Sequence, residues 1–591
     1  SVTSQGVHSL QKQLAKNIFR IPEKSLRVIT GDVGGGFGMK IFNYPEYVCT
    51  LFAARALGRP VKWTAERVES FLSDDHGRDH VSHAELALDA DGVFLALKVD
   101  TVANLGAYLS TYGPFIPTEA GVAMLAGSYR TPAIYARVRG VFTNTQPVDA
   151  YRGAGRPEAA YLLERLIDYA ARQTGMDPAE IRRRNYIAAS AMPYKTVLGD
   201  TYDTGDFQQN LEDALAMADR AGFPARRKEA AKRGKLRGLG LSTYIEACSG
   251  GGPEEATIQV MGDGRVVVAI GTQTNGQGHE TAYKQIVAER FGVAPERIEV
   301  VQGDTDRVRW GSGTGGSRSV PVGGAALSDS ALKVLERMTA AAAALLAVPV
   351  EATRFADGVF SADGTNRTTT FDEVAQSAGA GGDAAAFAET ARWTPPASTF
   401  PNGCHICEVE VDPDTGVTEV VRYTVVDDFG TVVNPMLVQG QIHGGVAQGI
   451  GQALHEQVVF DPDSGQLLTA SFSDYRLPRA ADIPPIAVKL NCVPSTTNAL
   501  GMKGAGEAGA IGAPPAVINA LVDALADYGV AHVDMPATPL KIWRIIQAAR
   551  AKGAARGRVL CVHALRAAAV RIVSGAGRGR GTLLGGAGGT E

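Results

Sequence analysis

One carboxylate, Glu507, stands in the run KGAGEAGAIGAP over residues 503–514, where glycine and alanine offer almost nothing to pair with it or solvate it. An acid with such small neighbours leaves room for a substrate against its oxygens and can act as a general base. Four further loops are glycine-rich: GGGFG at 34–38 and, with Gln, Thr, Ser or Arg among the glycines, YRGAGR at 151–156, TNGQGHET at 274–281 and SGTGGSRS at 312–319. Lacking Cβ atoms, such loops bring backbone N–H groups close enough to surround the oxygens of a large, polar, phosphate-bearing ligand. Gln441, Gln448 and Gln452, spaced by seven and four, put three amides on one helix face. Because GGVAQGIG is otherwise small and apolar, Gln448 must find a buried partner.

Other patterns are weaker. The stretch DDHGRDHVSH gathers Asp74, Asp75, His76, Asp79, His80 and His83, but on a strand running into AELAL His80 and His83 point to opposite sides, which argues against a metal site. Cys404 and Cys407 in CHIC have redox spacing, yet no helix start follows them and EVEVD reads as a strand, so they are two ordinary buried thiols. Gly504, Gly506 and Gly509, and Gly311, Gly313 and Gly316, match G-x-G-x-x-G without the preceding buried strand that a nicotinamide dinucleotide site requires. GDVGGGFGMK lacks the Lys-Ser or Lys-Thr of a phosphate loop.

The elements that must position these loops are mixed. Helices are expected at TSQGVHSLQKQLAKNIFRI, PEYVCTLFAARALG, AAYLLERLIDYAARQTG, ETAYKQIVAERFG and around VQGQIHGGVAQGIGQALHE. Hairpins are expected around DADG, GDG and DPDTG, and single strands at LRVIT, PVKWTAE and IEVVQGD. At 591 residues the chain is too long for one core, and 45% hydrophobic residues with a net charge of -4 are ordinary for a soluble globular protein without a nucleic-acid or membrane surface. The expected layout is α+β: a first domain over 1–222, a basic link at 223–238, a second domain over 239–547 and a disordered Gly/Ala/Arg-rich tail over 551–591. Six scattered cysteines and no signal peptide point to the cytoplasm, and a start at Ser1 in the middle of a helix reads as a fragment.

Taken together and in this order, the five loops resemble those of the molybdenum hydroxylase family, in its molybdopterin-binding large subunit of xanthine dehydrogenase, aldehyde oxidase and carbon monoxide dehydrogenase type, over about residues 1–547. The resemblance implies two elongated cofactor-binding domains, with the family's N-terminal hammerhead domain absent. It implies that Gln5 lies near the metal's oxo group, that Gly36, Phe37 and Gly38 bring backbone to the metal, and that Arg152 brings its backbone to the other side. Gln277, Gly278, Thr314, Ser317 and Gln448 would bind the pterin and its phosphate tail. Glu507 would be the catalytic base, and no protein side chain would ligate molybdenum, which the pterin dithiolene holds. The cofactor would be molybdopterin as its cytosine dinucleotide. Partners would be an iron–sulfur small subunit and an FAD-binding medium subunit, in a dimer of heterotrimers, with no nucleic acid and no membrane span. The implied reaction is oxidative hydroxylation of an aldehyde or N-heterocycle with oxygen from water. Gly153 stands where copper-containing carbon monoxide dehydrogenases carry a cysteine, which disfavours that activity, and Ile41 stands where purine-oxidising members carry a glutamate. A different reading is a truncated, non-catalytic remnant.

Overall fold

The computed structural model describes residues 1–248, 252–379, 385–553 and 569–572. The first half supplies β1 (His80–Leu88), β2 (Phe94–Asn104), β3 (Ile134–Val141) and the long helix α1 (Arg156–Thr174). β1 and β2 form the hairpin expected around DADG, β3 joins parallel to β2, and the short strand Ala569–Ile572 runs parallel beside β1. Leu163, Leu166, Ile167 and Ala170 recur at helical spacing on α1 and seal against Leu86, Leu88 and Leu97 of the sheet. His80 and His83 both lie in β1. Among the described residues no group of three or more His, Cys, Asp or Glu is arranged to hold a metal ion.

The second half supplies β4 (Leu236–Ile245), β5 (Glu254–Met261), β6 (Val266–Ile270), β7 (Ile298–Val301), β8 (Ala385–Trp393), β9 (Asn402–Val411), β10 (Thr418–Asp428) and β11 (Ile486–Leu490). Its helices are α2 (His279–Phe291), α3 (Gly324–Leu346), α4 (Pro435–Leu454) and α5 (Ala508–Ala524). One sheet has the order β8-β5-β6-β7 and is covered by α2 and α3. The other has the order β11-β10-β9-β4, and β9 and most of β4 are buried on both faces. Its one side faces the core of the first half, and its other side faces α4 and α5. Every residue of β9 is accordingly buried, and Cys404 and Cys407, three positions apart, enter opposite cores as free thiols.

Two local readings of the sequence change. PVKWTAE forms no strand; it is irregular chain leading to a helix, Arg67–Ser73, that Glu66 and Glu69 close with reciprocal capping bonds. LRVIT makes a single bridge, Ile29 to Asp304, rather than a ladder. In both places extended-looking residues have no neighbouring strand to pair with, and local preference alone cannot make a sheet.

The basic stretch 223–238 consists of the helix Phe223–Lys232, a short turn and the first residues of β4. Its charge is paired inside the fold: Arg226 and Arg237 grip Glu408, and Arg233 and Arg237 grip Glu410, both acids on β9. Of the tail expected over 551–591, residues 551–553 end the helix Pro539–Gly553 and 569–572 form the strand beside β1; the rest lies outside the described residues. No described helix is long and apolar enough to cross a membrane.

Candidate active site

Glu507 occupies the residue before α5, the position of a helix cap, but its side chain makes no capping bond. The carboxylate turns to two other loops. One oxygen accepts the Gly153 N–H at 2.9 Å and the other accepts the Ser317 hydroxyl at 3.3 Å. The start of a 17-residue helix adds a positive end of backbone dipoles behind it. Glu507 and Ser317 line one cleft of about 870 Å³ between the halves of the chain, together with Arg152 and Ala154 on either side of Gly153.

Two anchors hold the segment that presents Glu507. Lys503 and Asp428 form a fully buried pair at 2.6 Å, and the Lys503 ammonium also reaches the Thr204 carbonyl at 3.3 Å. Behind α5, β4 has glycine at 238 and 240, so helix backbone and strand backbone lie almost in contact. A Cβ on Gly240 would stand 2.1 Å from the Ala520 nitrogen.

Arg152 is the hub of the opposite wall. Its buried guanidinium donates to the Gly506 carbonyl at 2.6 Å, to Gln448 Oε1 at 3.0 Å, and to both the carbonyl and the Oε1 of Gln441, at 3.1 and 3.0 Å. The partner demanded by Gln448 is thus an arginine from another loop. Gln452, on the same helix, turns away to Arg78 at 3.3 Å. The Arg152 carbonyl also belongs to Arg78, whose Nη2 donates to it at 2.8 Å. Burial lowers the Arg152 guanidinium's proton affinity, while Tyr151, Glu507 and Glu246 raise it.

Gln5 is buried where three loops meet: its amide nitrogen donates to the Thr314 carbonyl at 3.1 Å and its amide oxygen accepts the Gly38 N–H at 2.9 Å. Gly36 backs directly onto the Gln5 side chain. Phe37 has φ +56° and its ring lies 5.6 Å from the Arg152 guanidinium. Ser317, at φ +52°, and Ala154, at φ +36°, are two further non-glycine residues of the cleft held at positive φ, a strain of the kind that concentrates at functional sites. A second, larger cavity of about 1300 Å³ adjoins the cleft along Gly36, Phe37, Ala150 and Tyr151.

At the other end, Gln277 and Gly278 precede α2, whose amide end opens on the cleft. Gln277 is folded back on its own loop, accepting from the Asn275 N–H at 2.5 Å and donating to the Gln273 carbonyl at 3.2 Å. The Thr314 hydroxyl donates to the Gln273 carbonyl at 2.7 Å and so staples two loops together. Sequence reasoning passed over His279. Burial pushes this imidazole down to about 3, and Nδ1 takes the Gln302 amide at 3.3 Å, leaving Nε2 in the cleft wall without a partner among the described residues. Asn275 Oδ1 is likewise unpartnered. A helix amide end, glycine loops and orphaned polar atoms in one cleft fit a large anionic, many-oxygened group; no His, Cys, Asp and Glu cluster competes to bind a bare metal among the described residues.

Models of the molybdopterin cofactor-binding domain match residues 1–186 and 213–484. The chain is 36% identical over 570 residues to the carbon monoxide dehydrogenase large chain of Hydrogenophaga pseudoflava, covering 92% of this chain and 70% of that one. It is 36% identical over 549 residues to 6-hydroxypseudooxynicotine dehydrogenase complex subunit gamma of Paenarthrobacter nicotinovorans, covering 91% and 68%. Among solved structures, quinoline 2-oxidoreductase from Pseudomonas putida 86 superposes with a TM-score of 0.87 at 36% identity, over 92% of this chain and 72% of that one.

Proposed function

Given that the chain belongs to the molybdenum hydroxylase family, as an oxidoreductase large subunit with two molybdopterin-binding domains, we propose that it hydroxylates an aldehyde or N-heterocycle with oxygen from water, with Glu507 as the base. The observation that carries this is the orientation of Glu507, which ignores its own helix and faces the cleft between an N–H and a hydroxyl. Both donors fix the carboxylate oxygens at the cleft, where a carboxylate can take a proton.

The cofactor, when bound, supplies oxygen transfer and takes up the two electrons of the oxidation. The chain's residues bind and orient. Gln5 and the Gly38 N–H form one rim, the amide end of α2 with Gly278 and His279 suits the phosphates, and Gln448 and Arg152 hold the wall between. We propose that the pterin carries the cytosine dinucleotide, and that electrons leave through iron–sulfur and FAD subunits in a dimer of heterotrimers in the cytoplasm.

Carbon monoxide oxidation with copper is disfavoured by space as well as by chemistry. Gly153 has φ +100°, and a Cβ there would lie 2.4 Å from the Pro157 ring, so a cysteine does not fit at this place. Ile41 lines the cleft beside Gly315, an apolar contact that suits a substrate without a carboxamide or carboxylate to recognise.

The test is molybdenum content and released nucleotide for the chain co-expressed with its neighbouring subunits, followed by a screen of aldehydes and N-heterocycles. Near-stoichiometric molybdenum with cytidine monophosphate is the expected result. Folded protein without molybdenum or pterin overturns the assignment and favours the remnant reading.

A further inference from the structure

Directly behind Glu507 lies a second carboxyl that the reaction as described does not use. Glu246 follows the last residue of β4 and is completely inaccessible to solvent. Its backbone N–H is tied to the Pro401 carbonyl at 2.9 Å, so the residue is fixed in place. In the ionised form neither of its oxygens has a hydrogen-bond donor in ordinary geometry among the described residues. The groups that face it are the Glu507 carboxyl, which lies within hydrogen-bond reach, the Cys248 thiol, and Arg156, with Arg152 and the Tyr244 hydroxyl farther round.

Among the described residues no cation is free to neutralise it. Arg156 is committed to the Ala154 carbonyl at 3.0 Å and the Ala247 carbonyl at 2.7 Å, and Arg152 to Gly506, Gln448 and Gln441. The Cys248 thiol is held in its neutral form by burial and by Glu246 itself, and is at most a weak donor. Two carboxylates in contact inside a protein cannot both stay ionised, and the proton goes to the one with less support. Glu507 has the Gly153 N–H and the Ser317 hydroxyl; Glu246 has neither.

We propose that Glu246 is a neutral carboxylic acid whose O–H donates to the Glu507 carboxylate, and that it is a positioning residue which keeps the base ionised and aimed at the cleft. Burial first, and Glu507 second, raise the proton affinity of Glu246 far above the usual carboxylate range, in keeping with this. The pair then shares one proton at neutral pH, and Glu507 is the member that reaches the cleft. The base then has three donors rather than two.

The idea rests on the role proposed for Glu507, but its first test does not. Infrared spectra of the full chain at pH 7.5, without regard to cofactor content, are compared for the unmodified protein, Glu246→Gln and Glu507→Gln. A protonated-carboxyl C=O band that disappears in Glu246→Gln and persists in Glu507→Gln is expected. Absence of any band lost specifically in Glu246→Gln overturns the proposal, whatever the enzyme's reaction. The second test is the acid limb of kcat/KM in the loaded complex. Glu246→Gln keeps an N–H donor and should leave the limb near its original pH, whereas Glu246→Ala should move it up by about one unit. If Glu246 were instead an anion, both variants would remove a repulsion and move the limb down, and that outcome also overturns the proposal. Glu246→Gln, nearly isosteric, guards against an Ala variant that fails to fold.

Discussion

At the scale of single residues, the cleft is held by side chains that do several things at once. Arg152 joins the Gly506 carbonyl to Gln441 and Gln448, and its planar fork is the reason it can. Arg152→Lys should leave at least one buried acceptor without a donor, at a cost of about 1–3 kcal/mol, and loosen the backbone next to Glu507. A lowered unfolding midpoint in urea with a reduced kcat is the expected reading. Glu507→Gln keeps the shape and the contacts with Gly153 N–H and Ser317 in part, but removes the base; kcat should fall by about 10²-fold or more with the cofactor still bound, read by turnover at equal molybdenum loading. His279 gives a pH signature. Its folded form stays neutral until about pH 3, whereas the unfolded imidazole takes up a proton as pH falls through about 6.5. Unfolded protein therefore binds more protons between these values, and stability falls with falling pH across that window. Acidifying from pH 7.5 to 5 should cost about 2 kcal/mol more in the unmodified chain than in His279→Gln, measured by urea unfolding.

At the scale of elements, the position of Glu507 depends on how closely α5 approaches β4. Gly240→Ala places a methyl group against the Ala520 nitrogen and the Ala516 carbonyl, at 2.1 and 2.3 Å in the unrelaxed geometry. Backbone cannot step aside as a flexible side chain can, so the helix must move. A loss of about 1–3 kcal/mol in unfolding free energy is expected, together with reduced activity although residue 240 lies outside the cleft. The elements themselves were largely legible in the sequence. Three hairpins stand where DADG, GDG and DPDTG punctuate alternating runs, because turn chemistry and pattern agree there. PVKWTAE misled because residue preference says nothing about whether a partner strand exists. In the site, glycine loops advertise themselves by composition, and the five that the sequence singled out meet in one cleft. Glu246 was silent for the opposite reason: one acid at the end of LSTYI has no spacing to read, and only the fold puts it against Glu507. Arg152 was visible in YRGAGR, but the target of its guanidinium was not, since Gln441 and Gln448 come from a helix far along the chain.

At the scale of the molecule, the cleft is a seam. Gln5 and Phe37 come from the first half, Gln277 and Thr314 from the middle, and Gln448 and Glu507 from the last part, with each loop tied to another by the bonds described above. A group filling that seam bridges both halves and binds the folded state alone, so it must stabilise the whole chain. Protein produced without the molybdenum cofactor should melt at a lower temperature than loaded protein. Faster amide hydrogen exchange should be confined first to 273–279, 312–319 and 504–507, the loops with backbone in the cleft. Equal melting temperatures would mean that the group does not occupy this seam.

The bond from the Gly153 N–H to Glu507 spans 354 positions of sequence. A ribosome releases residues in order, and when YRGAGR emerges the carboxylate it will hold does not yet exist. The cleft is therefore closed only by a segment made much later, and whatever fills it is delivered to a finished polypeptide rather than to a growing one. Until that delivery the buried pair of Lys503 and Asp428, the close seat of α5 on β4 and the Arg152 bond to Gly506 have to keep the last loop in place, which makes them a safeguard of the waiting period between synthesis and maturation.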